Sequence, residues 1–164
     1  MASNSNLSSF LFLLMIFAAA AAAAFSAEAA ADDKFLHIHC YSHDNEPVLS
    51  VNLHRNDSFG NILVFDNVLR EGIDPGSPAL ARPQGMGVFS DLTGAYIFTT
   101  YTVTFTAGEF NGSSFNVFGL TSTTGVSDRS IVGGTGRFRG ARGYVLTEYL
   151  SARIEDFNIY IMFA

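Results

Sequence analysis

The stretch IVGGTGRFRGARGY, residues 131–144, carries the clearest signal for the fold. An apolar run leads into it, glycines interrupt it, and a run of β-forming residues continues from Tyr144. Glycine adopts positive φ without a steric penalty from Cβ, and paired glycines are typical of hairpin turns. The stretch therefore predicts a strand, a tight glycine turn and a returning strand. A phosphate-binding glycine loop would instead open a helix, and the β-formers in 144–150 favour the hairpin.

The rest of the chain also reads as strands. Runs of β-branched and aromatic residues alternate with Gly, Asn, Asp and Pro, and no window after the first 30 residues has a helical period. A loop, DPGSP at 74–78, separates two of the runs. Many short strands predict an all-β sandwich or a closed barrel, and closure removes exposed edges. The predicted strands are 35–41, 48–53, 62–65, the region around Val88, 95–105, 115–120, 130–132, 144–150 and 154–163.

The first residues have the layout of a cleaved secretory signal peptide. An apolar core at 10–17 precedes an alanine run and small residues at alternate positions. We expect a signal peptide over residues 1–29, cleavage between Ala27 and Asp32, and a folded domain over 33–164. A membrane anchor is the competing interpretation, but the apolar core is short for a span and no basic stop-transfer run follows. The mature domain of roughly 135 residues is large enough for one core.

Composition narrows the function classes. The formal net charge of −6 argues against a nucleic-acid surface. The sequence shows no second hydrophobic span, so we expect no membrane association after cleavage. Cys40 is the one cysteine, so no intrachain disulfide forms, and burial as a small apolar residue is favoured over an intermolecular link. The sequons at Asn56 and Asn111 are predicted glycosylation sites after secretion.

Several motifs occur in a specific order along the chain. In sequence they are SHD at 42–44, FGN at 59–61, VFD at 64–66, SP at 77–78, RPQG at 82–85, FTAGEFNGS at 105–113, VGGTGRF at 132–138 and ARG at 141–143. With these motifs the chain resembles the plant dirigent protein family over nearly its full mature length.

The resemblance implies a fold and a function. The fold is an antiparallel barrel of about eight strands, like that of allene oxide cyclases, secreted to the apoplast as a homodimer or homotrimer. The implied function is stereocontrol in lignan and phenylpropanoid biosynthesis. A separate laccase or other oxidase makes phenoxy radicals from coniferyl alcohol or a related monolignol. The barrel holds the radicals, or their quinone methide product, so that one stereoisomer forms. It has no oxidative centre or cofactor of its own.

The composition suits such a pocket. Orienting flat aromatic molecules needs a concave apolar site with a few placed polar groups, and small barrels hold one small ligand. Phenylalanine is plentiful, with 16 residues, and tryptophan is absent. Proton transfer during ring closure of a quinone methide calls for a carboxyl group as acid or base.

Candidate residues follow from the resemblance. Asp44 matches the acid of the family's His-Asp motif and is the predicted catalytic group, whereas composition alone makes it a turn aspartate. The second aspartate of lignan-forming members falls at Thr121, and their arginine falls at Ser127. Their paired pocket tyrosines fall at Gly87 and Phe89. The predicted ligand-binding residues are Phe89, Phe105, Thr121, Arg129, which lies close to Ser127, and Arg142, for which a surface ion pair is the alternative.

Other charged and metal-ligating side chains carry weaker signals. His37 and His39 share a strand face and could begin a metal site with Asp44, but no other histidine-rich segment completes it, so no metal is predicted. The acidic and basic residues Arg70, Glu71, Glu155 and Asp156 are predicted to be solvated. This leaves a single acid in the predicted pocket.

Two further function classes remain open from the sequence. One is a secreted barrel that binds a glycan or a defence-related ligand without coupling chemistry. The other is a cyclase acting on an oxylipin, which secretion disfavours.

Overall fold

The computed structural model describes residues 35–44, 49–52 and 58–163. The chain divides into two units, Met1–Asp33 and Lys34–Ala164, and all described residues belong to the second. The predicted signal peptide and the sequon at Asn56 lie outside the described residues. Among the described residues, no helix has the length and apolarity needed to cross a membrane.

The described residues form ten strands and one 3₁₀ turn, Gly136–Phe138. The strands are β1 (Phe35–His43), β2 (Leu49–Val51), β3 (Ile62–Asp66), β4 (Val68–Arg70), β5 (Ala79–Val88), β6 (Tyr96–Phe105), β7 (Ser114–Ser122), β8 (Ser127–Thr135), β9 (Arg142–Ser151) and β10 (Ile154–Met162).

All strand pairs are antiparallel, and the sheet closes on itself. The order runs β1-β10-β9-β8-β7-β6-β5, and β5 also pairs with β3 and β4. β4 pairs in turn with β1, which closes the ring. Asn67 alone separates β3 from β4, so the two are one interrupted strand of the wall, and β2 pairs with β3. The predicted closed antiparallel barrel of about eight strands is confirmed. The short β4 was missed because only three residues pair there.

The side chains at every second position of the strands point inward and fill the barrel interior. Along β6 and β10 every second residue is buried, and Val103 on β6 and Ile159 on β10 are fully inaccessible to solvent. Each such side chain contributes about 1.5–3 kcal/mol through removal of apolar surface from water. Cys40 is buried, as predicted.

A cluster of phenylalanines closes one end of the barrel. Phe138 is fully buried at its centre, with ring centroids 5.3 Å from Phe105, 5.0 Å from Phe110 and 5.7 Å from Phe115. Phe163 stacks on Phe138 at 6.0 Å. Much of the phenylalanine content therefore supports the core instead of lining a pocket.

The predicted glycine hairpin is present, but its turn lies further along. β8 continues through Gly133 and Gly134 to Thr135, and Gly136, with φ of 57°, begins the turn. A Cβ on Gly134 would lie 2.3 Å from the backbone oxygen of Ser114 on β7. The paired glycines thus allow β7 and β8 to approach closely beside a β-bulge, because the register shifts between Asn116 and the next residue.

Candidate functional site

The end of the barrel away from the phenylalanine cluster contains an open cavity of about 150 Å³. Residues near the beginning of β6 and β10 and the end of β7 reach it, whereas the opposite ends of these strands reach the cluster. Its lining residues are Ser42, Asp44, Leu63, Phe65, Asn67, Pro83, Ile97, Thr99, Tyr101, Thr121, Arg129, Tyr149, Glu155 and Phe157. The cavity combines an apolar and aromatic wall with buried charged groups.

A buried ion pair lies at the cavity floor. Arg129 on β8 and Glu155 on β10 are 4% and 8% exposed, and one guanidinium nitrogen of Arg129 lies 3.3 Å from Oε1 of Glu155. The same nitrogen donates to Thr147 Oγ1, and the other terminal nitrogen donates to Thr121 Oγ1 at 3.1 Å. The guanidinium carbon lies 5.2 Å from the centroid of the Tyr101 ring. Hydrogen bonds and ring contacts therefore fix the orientation of the arginine.

Burial raises the pKa of Glu155 above its ordinary value. The positive charge of Arg129 opposes this shift, and the negative charge of Asp44 adds to it. The carboxyl group therefore holds its proton more strongly than an exposed glutamate, although a cation lies beside it.

Asp44 lies near the mouth of the cavity, directly after β1. It is half-buried, and Nδ2 of Asn67 donates to its Oδ1 at 2.7 Å. Its backbone N–H donates to the carbonyl oxygen of Arg153 at 3.1 Å, which fixes the chain where β1 ends. Burial raises the pKa of Asp44, while the Asn67 hydrogen bond and the charges of Arg153 and His43 act in the opposite direction.

Tyr149 on β9 completes the mouth. It pairs in register with Glu155 across β9 and β10, and it is 49% exposed. Partial burial, with the charges of Glu155 and Asp44, raises the pKa of Tyr149 to about 12. Its hydroxyl therefore stays protonated and can donate a hydrogen bond at neutral pH.

Three of the predicted site residues meet at this cavity. Asp44, Thr121 and Arg129 all line it, although they belong to distant parts of the sequence. The buried Thr121 hydroxyl lies 3.0 Å from Thr99 Oγ1 and accepts a hydrogen bond from Arg129. Thr121 therefore supplies a neutral oxygen to the cavity.

The other predicted ligand-binding residues do not line the cavity. Phe105 points inward but belongs to the phenylalanine cluster at the closed end. Arg142 is exposed on the outer side of β9, with one nitrogen 3.4 Å from the Val132 carbonyl oxygen. Phe89 follows β5 and exchanges backbone hydrogen bonds with Asn61 and Gly60. Position along the barrel axis, and not inward direction alone, decides which side chains reach the hollow.

Glu155 is the main residue that sequence reasoning placed wrongly. It was expected to be solvated beside Asp156, but only Asp156 faces outward, and Glu155 is buried against Arg129. The alternation of Glu155 with Phe157 and Ile159 carried the signal, because all three occupy the apolar face of one strand. The cavity therefore holds two carboxyl groups, not one.

The histidines of β1 lie mainly on the outer surface. Nε2 of His39 lies 2.6 Å from Oδ1 of Asp156, and Nε2 of His37 lies 3.1 Å from Oδ1 of Asn158. Within the described parts of the chain, no group of three or more His, Cys, Asp or Glu residues is arranged to hold a metal ion. Asn111 is exposed in the turn between β6 and β7, and its glycosylation stays a prediction.

Comparison with known proteins matches this geometry to a family. A family model described as dirigent-like protein matches residues 35–162. Dirigent protein 1 of Arabidopsis thaliana is 33% identical over 148 residues, which is 79% of each chain. The chain belongs to the dirigent family.

Other relatives of this dirigent protein carry a different name. Pterocarpan synthase 1 of Glycyrrhiza echinata is 30% identical over 132 residues, 73% of this chain and 70% of the relative. The solved structure of a pterocarpan synthase dirigent protein has a TM-score of 0.73 at 28% identity, covering 80% of this chain and 89% of the other. Family membership thus includes proteins with more than one named role.

Proposed function

We propose that this dirigent protein controls the stereochemistry of coupling between phenoxy radicals of coniferyl alcohol or a related monolignol. A separate oxidase or laccase removes one electron and one proton from each phenol, and the two radicals then form one bond. The cavity carries this proposal: in a dirigent barrel, an apolar and aromatic wall surrounds two carboxyl groups and an arginine.

The size of the cavity supports one aromatic ring in each barrel. A volume of about 150 Å³ is close to that of engineered cavities that bind benzene. Leu63, Phe65, Ile97 and Phe157 offer apolar surface to such a ring, and the mouth leaves room for its side chain. Holding one partner in a fixed orientation exposes one face to the second radical, which converts random encounter into oriented approach.

The two carboxyl groups support proton transfer after coupling. When a hydroxyl adds to a quinone methide, the hydroxyl loses a proton and the carbonyl oxygen gains one. Asp44, which accepts a hydrogen bond from the side chain of Asn67, is the proposed base at the mouth of the cavity. The more deeply buried Glu155 is the proposed acid.

We further propose that the protein is secreted to the apoplast and acts as a homodimer or homotrimer. An outer apolar patch supports self-association: Val64, Met86, Phe98, Phe118 and Leu120 lie on adjacent strands of the barrel wall. Exposed apolar patches of this kind are typical of interfaces. Association also brings several singly occupied barrels together.

The proposal is tested by oxidising coniferyl alcohol with a one-electron oxidant, with and without the mature protein, and separating the products on a chiral column. We expect an excess of one enantiomer only with protein. Glu155→Gln and Asp44→Asn should lower the excess, whereas Asp156→Asn and Asp128→Asn, which replace exposed or outward-facing neighbours, should not. Racemic products in every tube would argue against coupling control for this substrate.

Ring closure within one phenolic molecule is a second candidate function. The second carboxyl group, Glu155, and the similarity to pterocarpan synthases favour it. A phenolic benzylic alcohol would lose water to give a quinone methide, and an internal hydroxyl would then add to it. Incubation of such an alcohol without any oxidant separates the two functions, because only ring closure proceeds there.

A further inference from the structure

Three exposed arginines lie close together where β8 turns into β9. They are Arg137, Arg139 and Arg142, and residues 137–142 are called the arginine turn below. The whole chain has nine lysines and arginines and a formal net charge of −6. The Cα atoms at the two ends of the turn lie within about 18 Å of each other, even for a fully extended chain. The arginine turn is therefore a compact basic patch on an acidic protein.

Buried residues between the arginines hold the turn in place. Phe138 is fully buried in the phenylalanine cluster, and Ala141 is 1% exposed. The backbone N–H of Arg137 donates to Oγ of Ser113 at 3.1 Å, and that of Ala141 donates to the Phe138 carbonyl oxygen at 3.1 Å. Since these contacts already fix the backbone, a ligand that binds the arginines has little chain left to order.

The guanidinium groups of the arginine turn are available to an external anion. None of them is in a salt bridge with a described residue, and Arg142 has one nitrogen 3.4 Å from the Val132 carbonyl oxygen. In contrast, Arg82 on β5 donates two hydrogen bonds to Asp66. The planar donors of arginine match the geometry of carboxylates and phosphates. The turn therefore fits an anionic partner.

Side chains, and not the backbone, would bind this partner. A phosphate-binding glycine loop presents free backbone N–H groups at the start of a helix, whereas this turn leads into a strand. The backbone N–H groups of Arg137, Arg139 and Ala141 already donate within the protein. Separate guanidinium groups suit several anions spaced along a chain better than one compact phosphate.

The surroundings favour a single flexible polyanion over a broad anionic surface. Glu109 is exposed in the adjoining turn between β6 and β7, where Phe110 contacts Phe138, and the protein as a whole is acidic. A membrane or a nucleic-acid duplex would bring many charges within a Debye length, about 8 Å, of such acids. A single chain can follow the arginines alone.

A row of rings beside Arg142 favours a sugar polymer over a single-stranded nucleic acid. Tyr144 lies two residues further along the outer face of β9 and stacks on Tyr160 at 4.7 Å, and Tyr160 stacks on His37 at 4.5 Å. Both faces of the central ring are thus covered, although nucleobases need open ring faces for stacking. Sugar hydroxyls can instead form hydrogen bonds with tyrosine hydroxyls.

We propose that the arginine turn binds an acidic polysaccharide whose carboxylates recur along the chain, such as polygalacturonate. The choice of a cell-wall polymer rests on the proposed secretion to the apoplast. The turn lies at the closed end of the barrel, where Phe138 packs, and the cavity lies at the other end. Binding therefore holds the protein on the polymer and leaves the mouth of the cavity open.

The test uses the protein expressed with its full sequence in a secreting host. Calorimetry compares polygalacturonate with its methyl ester, which lacks the carboxylate charges. Polygalacturonate is expected to bind at least about tenfold more tightly than the ester at low salt, because three arginines gain ionic partners. Its affinity should fall as the salt concentration rises, since salt screens these contacts and bound counterions are released on binding.

Single substitutions locate the site. Arg137→Gln and Arg139→Gln should each weaken polygalacturonate binding about two- to fivefold and reduce its salt dependence. Arg82→Gln removes the same charge from another exposed arginine and should change the affinity less than about twofold. The melting temperatures of Arg137→Gln and Arg139→Gln should match that of the wild type, because both side chains are exposed.

Equal binding of polygalacturonate and its methyl ester, no binding at low salt, or equal losses in Arg82→Gln and Arg137→Gln would overturn the site. Tighter binding of single-stranded DNA or of phosphatidylserine vesicles would overturn the polysaccharide assignment.

The coupling assay separates this inference from the proposed function. The double variant Arg137→Gln/Arg139→Gln should keep the enantiomeric excess of the wild type, since neither residue lines the cavity. Polygalacturonate binding together with racemic products would reject stereocontrol and keep the polysaccharide site. Stereoselective coupling by a protein that does not bind polygalacturonate would reject only the polysaccharide site.

Discussion

Arg129 and Glu155 show how much the surroundings of a charge decide its role. The chain has another arginine–carboxylate pair, Arg82 with Asp66, joined by two hydrogen bonds of 3.0 and 2.5 Å. That pair is nearly half exposed, whereas Arg129 and Glu155 are buried. Water screens the first pair and cannot replace either partner of the second.

Removing the arginine from each pair should therefore have different consequences. Arg129→Met keeps apolar volume but leaves Glu155 buried without its cation, and we expect a loss of about 3 kcal/mol or more. Arg82→Met should cost less than about 1 kcal/mol. Urea unfolding at neutral pH measures both, and equal losses would contradict the different contribution of the buried pair.

The raised pKa values of Glu155 and Asp44 predict how stability depends on pH. The folded state holds protons that the unfolded chain releases near the ordinary values of 4.5 and 3.8, so the free energy of unfolding falls as pH rises through this range toward the raised values. Hydrogen bonds from Thr93 lower the pKa of Asp91. Its contribution to the free energy of unfolding therefore changes in the opposite direction, and at lower pH. Unfolding measured from about pH 4.5 to pH 8 should show the decline.

A variant identifies the group responsible. Glu155→Gln should flatten part of the decline, because the amide does not titrate. Glu148→Gln, at an exposed position on β9, should retain it. A wild-type stability that rises steadily over this range would contradict the direction of the shifts.

In the β8–β9 hairpin, glycine positions without a side chain allow neighbouring strands to pack closely. The bulge between β7 and β8 and the absence of a Cβ at Gly134 let the two backbones approach. Phe138, in the turn that follows, then packs at the centre of the phenylalanine cluster. The hairpin thus closes one end of the barrel and leaves the other end for the cavity.

Gly134→Ala should destabilise the protein by about 1–3 kcal/mol, because its Cβ would lie 2.3 Å from Ser114 oxygen and 2.9 Å from Phe138 Cβ. Gly72→Ala is the matched control, since its Cβ would meet Ser77 at an ordinary distance of 3.4 Å. Thermal unfolding compares the two. A similar melting temperature for both variants would show that the wall relaxes around the added methyl.

The closed barrel has a polar-floored cavity at one end and an apolar patch on its outer wall. Along the patch Val64 pairs with Met86, Met86 with Thr100, and Thr100 with Phe118, so the side chains form a row across four strands. Phe118 is 51% exposed and contacts Phe98 edge to face at 4.9 Å. A monomer would leave this row in water.

Phe118→Asp should convert the proposed homo-oligomer into a monomer, because a charge would be buried in the apolar interface. Val126→Asp, at an exposed position in the turn between β7 and β8, should leave the oligomer intact. Light scattering after size-exclusion chromatography gives both masses. A wild-type protein that is already monomeric at micromolar concentration would contradict the role of the patch.

Period-two alternation and turn residues were enough to predict nearly all of the strands, the burial of Cys40 and an all-β sandwich or closed barrel, because these features depend on local pairs of neighbours. The family resemblance then selected the antiparallel barrel. The family resemblance placed Phe105 in the pocket, and the local sequence pattern placed Glu155 in solvent. The first error concerns height along the barrel, which neighbours in sequence do not specify. The second overlooked the alternation of Glu155 with Phe157 and Ile159, which puts all three on the inward face of one strand.

The sequence by itself thus determines the wall of the barrel, because a strand needs only its own alternation of apolar and polar residues to turn one face inward. The cavity chemistry arises from folding in three dimensions. Arg129 and Glu155 lie on β8 and β10, with β9 between them. Glu155 pairs in register with Ser42 of β1, and the Arg129 guanidinium lies over the ring of Tyr101 of β6. A register shift of one residue would turn Glu155 outward, so the site exists only when the whole ring of strands pairs correctly.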